Sequence, residues 1–259
     1  MNLQRGKNEG RSFGAAVTEV EVQREYYART AHGYNAKHCH EGDEHYFALD
    51  IMLSVLDRFE IHSVLDLGSG TGRALMYLRK FRTDLKVVGV EPSSDMRTAG
   101  YESGVPKDVL VAGDATSLQY GNDSFDLVCA FGMLHHIRQP AIAIGEALRV
   151  ARKAIFISDS NNFGQGSSLV RAAKQTLNAL GLWPLANWIK TKGKGYNISE
   201  GDGLAYSYSL FSNMGQIRRG CSRVYLFGTA DSGPNLYRSA RCVAVLALKG
   251  FPDRSHNSK

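Results

Sequence analysis

The fold is decided by the stretch Val64-Leu65-Asp66-Leu67-Gly68-Ser69-Gly70-Thr71-Gly72-Arg73, in which a short apolar run meets three closely spaced glycines. The apolar residues before the first glycine are typical of a buried strand. The glycines allow a sharp turn whose backbone can lie against a ligand with no Cβ in the way. We predict that Thr71 caps the following helix and that the turn offers its N–H groups to a nucleotide-like cofactor.

The spacing of the glycines separates two classes of nucleotide site. Dinucleotide-binding enzymes use the pattern G-x-G-x-x-G. Here the position of the third glycine of that pattern is Arg73, and the stretch reads D-x-G-x-G-x-G. A dehydrogenase is therefore disfavoured.

Four more apolar runs follow at the spacing of strands, at residues 86–90, 108–111, 124–130 and 154–158. Glu91 ends the first of them, and a carboxylate placed about 20 residues after a glycine turn can accept hydrogen bonds from both hydroxyls of a ribose. Ligands of open α/β sheets bind outside the carboxyl ends of the strands. The residues that follow these runs are therefore expected to meet at one site.

This order of motifs resembles the class I S-adenosylmethionine (SAM) methyltransferases, and among them the type 11 group of small-molecule enzymes that act on ubiquinone-like and menaquinone-like acceptors. The resemblance covers about residues 45–160. It implies a doubly wound, seven-stranded, Rossmann-like α/β sheet, mostly parallel with an antiparallel last strand, and a helical, aromatic cap. It also implies SAM as cofactor and S-adenosylhomocysteine (SAH) as product.

The resemblance assigns a cofactor role to each of these motifs. Glu91 would bind the ribose, Asp114 the adenine amino group, and Met96 would cover the adenine, while the loop after the fourth strand would lie beside the methionine part. The expected cofactor residues are Asp66, Gly68, Ser69, Gly70, Thr71, Gly72, Glu91, Pro92, Met96, Gly113, Asp114, Ala115, Phe131, Gly132 and Met133.

Three residues are candidates for the chemistry of transfer. His135 and His136 lie on the loop after the fourth strand, and histidine titrates near neutrality, so either could act as a general base. Asp159 follows the fifth strand and could orient or deprotonate an acceptor. The alternative is that these side chains only pack or shape the pocket. The expected acceptor-binding residues are Tyr27, Tyr34, Asn161, Tyr206 and Tyr208.

The chain divides into a short tail and one domain. Residues 1–20 are expected to be a flexible tail and 21–259 a single domain, with 21–47 as a lid and 160–220 as a substrate cap. The alternative interpretation of residues 160–220 is a helical insertion that only packs on the core. Helices are predicted at 48–59, 71–81, 93–103, 140–150 and 167–180, and two last strands, an antiparallel hairpin, at 223–227 and 241–248.

Composition limits the remaining possibilities. The chain has 259 residues, of which 43% are hydrophobic, and no apolar run reaches the roughly 18 residues of a membrane span. With no signal-peptide pattern and scattered cysteines, we expect a cytoplasmic protein with no membrane span. His38, His40 and His45 fit no standard zinc spacing, so no metal is expected. The net charge of +6 permits nucleic acid, an anionic lipid surface or an acidic substrate.

The leading hypothesis is methyl transfer from SAM to a small or lipid-linked acceptor with a sugar, polyketide or quinone-like group, at oxygen rather than nitrogen or carbon. An RNA methyltransferase is the second hypothesis, although the chain has no recognisable RNA-binding module and no Asn/Asp-Pro-Pro-Tyr motif. Nucleic acid is therefore a less favoured partner. A non-catalytic SAM-binding subunit is a further alternative, and an oligomer is possible.

Overall fold

The computed structural model describes residues 19–38, 43–231 and 233–250, and within them it contains a large mixed sheet covered by helices on both faces. The strands are β1 (Ser63–Leu67), β2 (Lys86–Glu91), β3 (Leu110–Ala112), β4 (Phe125–Phe131), β5 (Ala151–Ser160), β6 (Tyr196–Ser199), β7 (Gly203–Tyr206), β8 (Arg223–Gly228) and β9 (Cys242–Leu248). The helices are α1 (Glu19–His38), α2 (Glu44–Val55), α3 (Arg73–Phe81), α4 (Ser94–Glu102), α5 (Pro140–Val150), α6 (Ser168–Ala179), α7 (Trp183–Lys190), α8 (Met214–Gly220) and α9 (Leu236–Ser239).

The sheet has seven strands in the order β3-β2-β1-β4-β5-β9-β8. Strands β1 to β5 pair in parallel, and β9 is antiparallel to both of its neighbours, β5 and β8. The predicted fold class, including the antiparallel last strand, is confirmed. Because the strand order reverses at β1, the loops after β1 and β4 diverge and open a crevice at the carboxyl ends of the strands.

The core lies on both faces of this sheet. All seven residues of β4 are buried, as expected for a central strand covered on two sides. One face packs against α5 and α8 through Ile144 and Ile217, and the other packs against α2 and α3 through Met52 and Leu78. The ligand crevice is thereby held by a rigid scaffold.

Several helix boundaries were predicted well because polar residues cap them. The hydroxyl of Ser93 accepts a hydrogen bond from the N–H of Met96 at the start of α4. Ser167 caps α6 in the same way through Val170. The prediction of α5 at residues 140–150 is confirmed.

Two predictions at helix starts were wrong. The helix predicted at 48–59 begins earlier, because the Asp43 carboxylate accepts from the N–H groups of His45 and Tyr46, and it ends at Val55 before a short 3₁₀ turn. Thr71 does not cap α3. Gly72 holds that position with φ of +87° and provides no side-chain cap, so the helix begins at Arg73.

Three further elements lie outside the sheet core. Helix α1 packs against α4 and β7, while β6 and β7 form a separate antiparallel hairpin that the sequence patterns did not predict. Residues 1–18 of the predicted tail lie outside the described residues, but Glu19 and Val20 belong to α1. None of the described helices is long and apolar enough to cross a membrane.

Candidate cofactor and acceptor site

A cavity of about 430 Å³ lies at the carboxyl ends of β1, β2 and β4, which is the size range of small-molecule sites. Its floor is the glycine turn and its far wall is the loop after β4. Helix α1 and strand β7 close it from above with Glu19, Gln23, Tyr27, Leu204 and Tyr206. All of the cofactor residues expected from the sequence line it except Gly72 and Gly113.

Two glycines of the turn, Gly68 and Gly70, have a positive φ, and each makes a different contact. Gly68 has φ of +63°, and a Cβ there would stand 2.9 Å from Cβ of Met133, so its absence lets the loop after β4 approach the turn. Gly70 has φ of +57°, and its N–H donates to Oε2 of Glu91 across 3.0 Å. The turn and the end of β2 are therefore joined directly.

Glu91 is held from two sides and still faces the cavity. Its Oε1 accepts from the N–H of Ser93 at 2.8 Å, while its Oε2 accepts from Gly70. Burial raises the pKa of Glu91, and these two N–H donors work against that rise. Each carboxylate oxygen can accept more than one hydrogen bond, so both retain capacity for the hydroxyls of a diol.

Asp66 lies on the cavity floor with only 2% of its surface exposed. Burial raises its pKa to about 7, against hydrogen bonding with Ser69 and the positive charge of Arg73. The Cys129 thiol donates to Oδ1 of Asp66 at 3.7 Å. Near neutral pH this carboxyl group can therefore be either a donor or an acceptor toward a ligand.

Gly72 and Gly113 do not line the cavity, which corrects two of the expected cofactor residues. A Cβ on Gly72 would lie 2.8 Å from Val105, and one on Gly113 would lie 3.1 Å from Val90. Both glycines allow the chain to pack behind the site instead of contacting what it holds. Asp114 does lie on the cavity wall, where its Oδ1 accepts from the N–H and the hydroxyl of Thr116, both at 2.7 Å.

The loop after β4 forms the polar end of the cavity. Nδ1 of His135 donates to Oδ1 of Asp159 at 2.8 Å, and Nδ1 of His136 donates to the backbone oxygen of Leu204 at 2.6 Å. The Nε2 atoms of both rings face the carboxylate of Asp202, at 3.3 Å for His135 and 3.4 Å for His136. Asp202 stands in the turn between β6 and β7.

The electrostatics of this cluster determine the protonation state of His135. Burial lowers the pKa of His135, but the charges of Asp159 and Asp202 outweigh it and raise that pKa to about 10. For Asp202, burial acts to raise the pKa. The hydrogen bonds from His135 and His136 outweigh burial and hold the pKa of Asp202 well below its usual range. His135 is thus protonated at neutral pH, and a protonated ring is no general base.

The three catalytic candidates therefore have different positions. His136 lines the cavity, whereas His135 and Asp159 do not. Asp159 is fully buried, and its Oδ2 accepts from the N–H of Leu134 at 2.7 Å. The expectation that Asp159 would contact an acceptor was wrong, because its carboxylate is used to orient His135 and the loop.

The expected acceptor residues also separate into two groups. Tyr27 and Tyr206 line the cavity, and Tyr27 contacts His136 edge to face with ring centroids 6.5 Å apart. Tyr208 does not line it, because its hydroxyl is buried and donates to Asn213. The side chain of Tyr34 lies outside the described residues.

Asn161 is a structural residue, which corrects its expected role in binding an acceptor. It is fully buried, and its Nδ2 donates to the backbone oxygens of Tyr237 and Ala240, both at 2.9 Å. Its Oδ1 accepts from the hydroxyl of Ser209 at 2.8 Å. Every polar atom of the amide is therefore engaged in fixing the end of β5.

Several residues of the site could not be recognised in the sequence. Gln23 accepts from the N–H of Leu204 at 2.6 Å, and Glu19 accepts from the Tyr206 hydroxyl at 2.5 Å, so α1 is fastened to β7 across the cavity. The sequence offered only one signal, the acidic turn Gly201-Asp202-Gly203.

Comparisons with known proteins agree with this geometry. Residues 65–157 match a family described as a methyltransferase domain. Demethylmenaquinone methyltransferase from Roseiflexus castenholzii is 37% identical over 89 residues, which are 34% of this chain and 37% of that protein. The enzyme of the same name from Mycobacterium tuberculosis is 38% identical over 89 residues, 34% of this chain and 36% of its own length. The chain thus matches little more than a third of these relatives.

Two solved structures share the fold across most of the chain. Magnesium protoporphyrin IX methyltransferase from Synechocystis, solved with bound SAH, is 14% identical, with a TM-score of 0.57 over 90% of this chain and 100% of its own. A SAM-dependent methyltransferase from Mesorhizobium loti is 15% identical, with a TM-score of 0.52 over 81% of this chain and 99% of its own.

The fold and the glycine-turn site define a class I SAM-dependent methyltransferase domain. Within that class, residues 65–157 are similar to the type 11 group, whose family model they match. SAM is the cofactor of this class, and the cavity fits it, since the Glu91 carboxylate, the glycine turn and an apolar wall all line it.

Proposed function

We propose that this chain transfers a methyl group from SAM to an oxygen atom of a lipid-linked, quinone-like acceptor. The observation that carries the proposal is the cavity that joins the Gly70–Glu91 pair at one end to His136, whose Nε2 faces Asp202, at the other. One end suits a nucleoside diol and the other suits a polar group about to react. The relatives named demethylmenaquinone methyltransferases support a quinone-like acceptor.

SAM supplies an activated methyl group on a sulfonium. When bound, it would supply that methyl group to the acceptor oxygen, with sulfur keeping the electron pair of the broken C–S bond and the hydroxyl proton of the acceptor passing to water. The task of the protein is then alignment and proton removal. Glu91 fixes the nucleoside, Met133 and Phe131 form an apolar wall, and His136 with Asp202 orients the acceptor oxygen.

The lipid-linked acceptor is inferred from the surface of α6, α7 and the turn that follows. Large apolar side chains stand in solvent on α7, where Leu185, Trp188 and Ile189 are 57%, 57% and 62% exposed. They lie at helical spacing on one face of α7. Leu169 on α6 is 84% exposed. Exposed apolar surface of this kind marks an interaction site.

The charge of this segment favours an anionic bilayer as its partner. Residues 160–199 contain no aspartate or glutamate, and their basic residues are Arg171, Lys174, Lys190, Lys192 and Lys194. The last three are exposed next to the apolar face of α7. Basic and aromatic residues beside an apolar helical face are typical of helices that lie in a membrane interface. The segment would bring the cavity to an acceptor that resides in the bilayer.

The transfer itself is tested with purified protein and SAM carrying a radiolabelled methyl group. The protein is incubated with a lipid extract, with total RNA and with a water-soluble extract of the source cells, and Gly70→Val serves as the blank. Label in the lipid fraction is expected. Label in RNase-sensitive polymer would make the basic surface an RNA site, and no label in any fraction would support a non-catalytic SAM-binding subunit.

The membrane surface is tested by sedimentation with vesicles of phosphatidylglycerol and of phosphatidylcholine. We expect binding to the anionic vesicles only. Lys192→Glu/Lys194→Glu should weaken it at least tenfold, since each basic residue near an anionic surface contributes about 1 kcal/mol. The matched control, Arg218→Glu/Arg219→Glu, reverses two exposed charges on α8. An equal loss in the control would contradict a specific membrane face.

A further inference from the structure

We propose that His135, His136 and Asp202 form a binding site for one divalent transition-metal ion at the polar end of the cavity. Only the role of the ion in catalysis rests on the proposed function. The site itself is argued from the geometry of the three side chains and of their outer partners.

The three side chains place their donor atoms as a metal ion requires. Nε2 of His135 lies 3.3 Å from Oδ2 of Asp202, and Nε2 of His136 lies 3.4 Å from Oδ1. All three ligand atoms lie within 4.8 Å of one another. An ion with bonds of about 2.1 Å separates neighbouring ligands by about 3.0 to 3.4 Å, so small side-chain adjustments would close the site.

The outer partners of both rings are those that metal-binding histidines have. A ligating histidine donates its other ring N–H to a carboxylate or a backbone oxygen, which fixes the tautomer and leaves a lone pair for the metal. His135 donates to Asp159 and His136 donates to the backbone of Leu204, both through Nδ1. Each Nε2 is thereby directed at the same carboxylate, and an ion bound there would take the place of the Nε2 protons, because ligating histidines release a proton to the metal.

Asp159 is itself held in place. Its Oδ1 accepts from the N–H of Ser160 and its Oδ2 from the N–H of Leu134, both at 2.7 Å, and it is fully buried. The ring of His135 is therefore fixed by a carboxylate that cannot rotate away. Such support of a ligand is what a metal site needs in order to bind without reorganisation.

Two imidazoles and one carboxylate suit ions such as Zn²⁺, Co²⁺ or Mn²⁺. Three protein ligands leave at least one coordination position for water or substrate. Asp202 has 52% of its side chain exposed, and His136 lines the cavity, so an ion could enter from solvent and meet the acceptor. In the described part of the chain, this is the only such group of three ligating side chains.

An ion at this position would act as a Lewis acid toward the acceptor. It would accept a lone pair from the hydroxyl oxygen and lower the pKa of that hydroxyl, so that the proton leaves to water before the O–CH₃ bond forms. The proton would then require no side chain as a base. This role would explain why two histidines and two carboxylates lie beside the acceptor end of the cavity.

The test is metal binding to the full chain in the absence of SAM and acceptor, by equilibrium dialysis with Zn²⁺ and by visible absorption with Co²⁺. We expect one ion per chain and a Co²⁺ spectrum with nitrogen and oxygen ligands. His136→Ala and Asp202→Asn should each weaken binding at least about tenfold. His62→Ala removes an exposed histidine elsewhere and should bind as the wild type does.

Either of two results would overturn the site. One is a wild-type chain that binds no ion, and the other is binding that survives unchanged in both His136→Ala and Asp202→Asn. SAH affinity and thermal melting of each variant show whether it is folded. Because the readout needs no methyl transfer, absence of metal binding and absence of methyltransferase activity are separate results.

Discussion

The backbone N–H of Gly70 donates to Oε2 of Glu91 across 3.0 Å, and this bond joins the turn after β1 to the end of β2. The same carboxylate holds the N–H of Ser93 at the start of α4. Glu91 therefore shapes both loops that enclose the nucleoside end of the cavity, in addition to offering its oxygens to a diol. Its replacement should affect binding through the protein as well as through direct contact.

We expect Glu91→Gln to weaken SAH binding by about 10- to 100-fold, the range for losing a hydrogen bond to a charged acceptor. A glutamine amide has one acceptor oxygen, so its NH₂ group must face the N–H of either Gly70 or Ser93. Titration calorimetry measures the change. The control is Asp95→Asn, which removes an exposed carboxylate four residues later and should leave affinity unchanged. Equal affinity for Glu91→Gln and wild type would exclude Glu91 from the site.

The nucleoside end could be predicted from the sequence because its parts are local. Each strand is an apolar run, and the ligand-facing residues lie at or just beyond the carboxyl ends of their strands, as Asp66, Glu91 and Asp114 do. Parallel pairing then brings the strand ends together without further information. The prediction needed only periodicity, the glycine spacing and a family resemblance.

The acceptor end could not be predicted because it is assembled over long separations. His136 meets Leu204 68 residues away, and Gln23 meets Leu204 181 residues away. These contacts depend on the docking of α1 and of the hairpin β6–β7 on the loop after β4. No periodic pattern encodes such docking, so Asn161 and Tyr208 were assigned to the cavity although burial and hydrogen bonding place them in the core.

Gly89 is a second position where the glycine turn depends on β2. A Cβ on Gly89 would stand 2.2 Å from Oγ of Ser69 and 2.7 Å from Cδ1 of Leu75. Gly89→Ala should therefore displace the turn, weaken SAH binding at least tenfold and lower the free energy of unfolding by about 1–3 kcal/mol.

The matched control for Gly89 is Gly145→Ala in α5. The nearest atom to a Cβ there is Nε2 of Gln216 at 3.6 Å, an ordinary contact, and alanine favours a helix. Calorimetric titration and chemical denaturation of both variants separate the two effects. The packing argument fails if Gly89→Ala binds SAH and unfolds as Gly145→Ala does.

Helix α1 should control ligand release through Gln23. Its Oε1 accepts from the N–H of Leu204, and Leu204 in turn accepts from His136, so one residue links the helix to the polar end of the cavity. Gln23→Leu removes the acceptor and should speed SAH dissociation several-fold, since a hydrogen bond contributes about 1 kcal/mol.

Gln23→Glu is the matched control, because it keeps an acceptor oxygen at the same reach. Stopped-flow displacement of SAH measures the dissociation rate of each variant. Slow release in Gln23→Glu with fast release in Gln23→Leu is the expected pattern. Equal rates in both would show that α1 does not hold the ligand through this bond.

Asp66 should make stability fall as pH rises. Burial raises its folded-state pKa to about 7 from an ordinary value of 3.8, with the negative charge of Glu91 adding to the rise and the positive charge of Arg73 opposing it. Between these values the folded chain retains a proton that the unfolded chain has lost. The free energy of unfolding contributed by this group therefore decreases from about pH 4 to pH 7 and stays low above it.

Asp66→Asn removes that titration at nearly constant volume. The free energy of unfolding of the variant minus that of wild type should be about 2 kcal/mol greater at pH 8 than at pH 5.5, since one pKa unit corresponds to about 1.4 kcal/mol. Urea denaturation at the two pH values, without ligand, measures the difference. A constant offset between variant and wild type over this range would contradict a folded-state pKa of Asp66 near 7, because that pKa requires the carboxyl group to lose its proton between these two pH values.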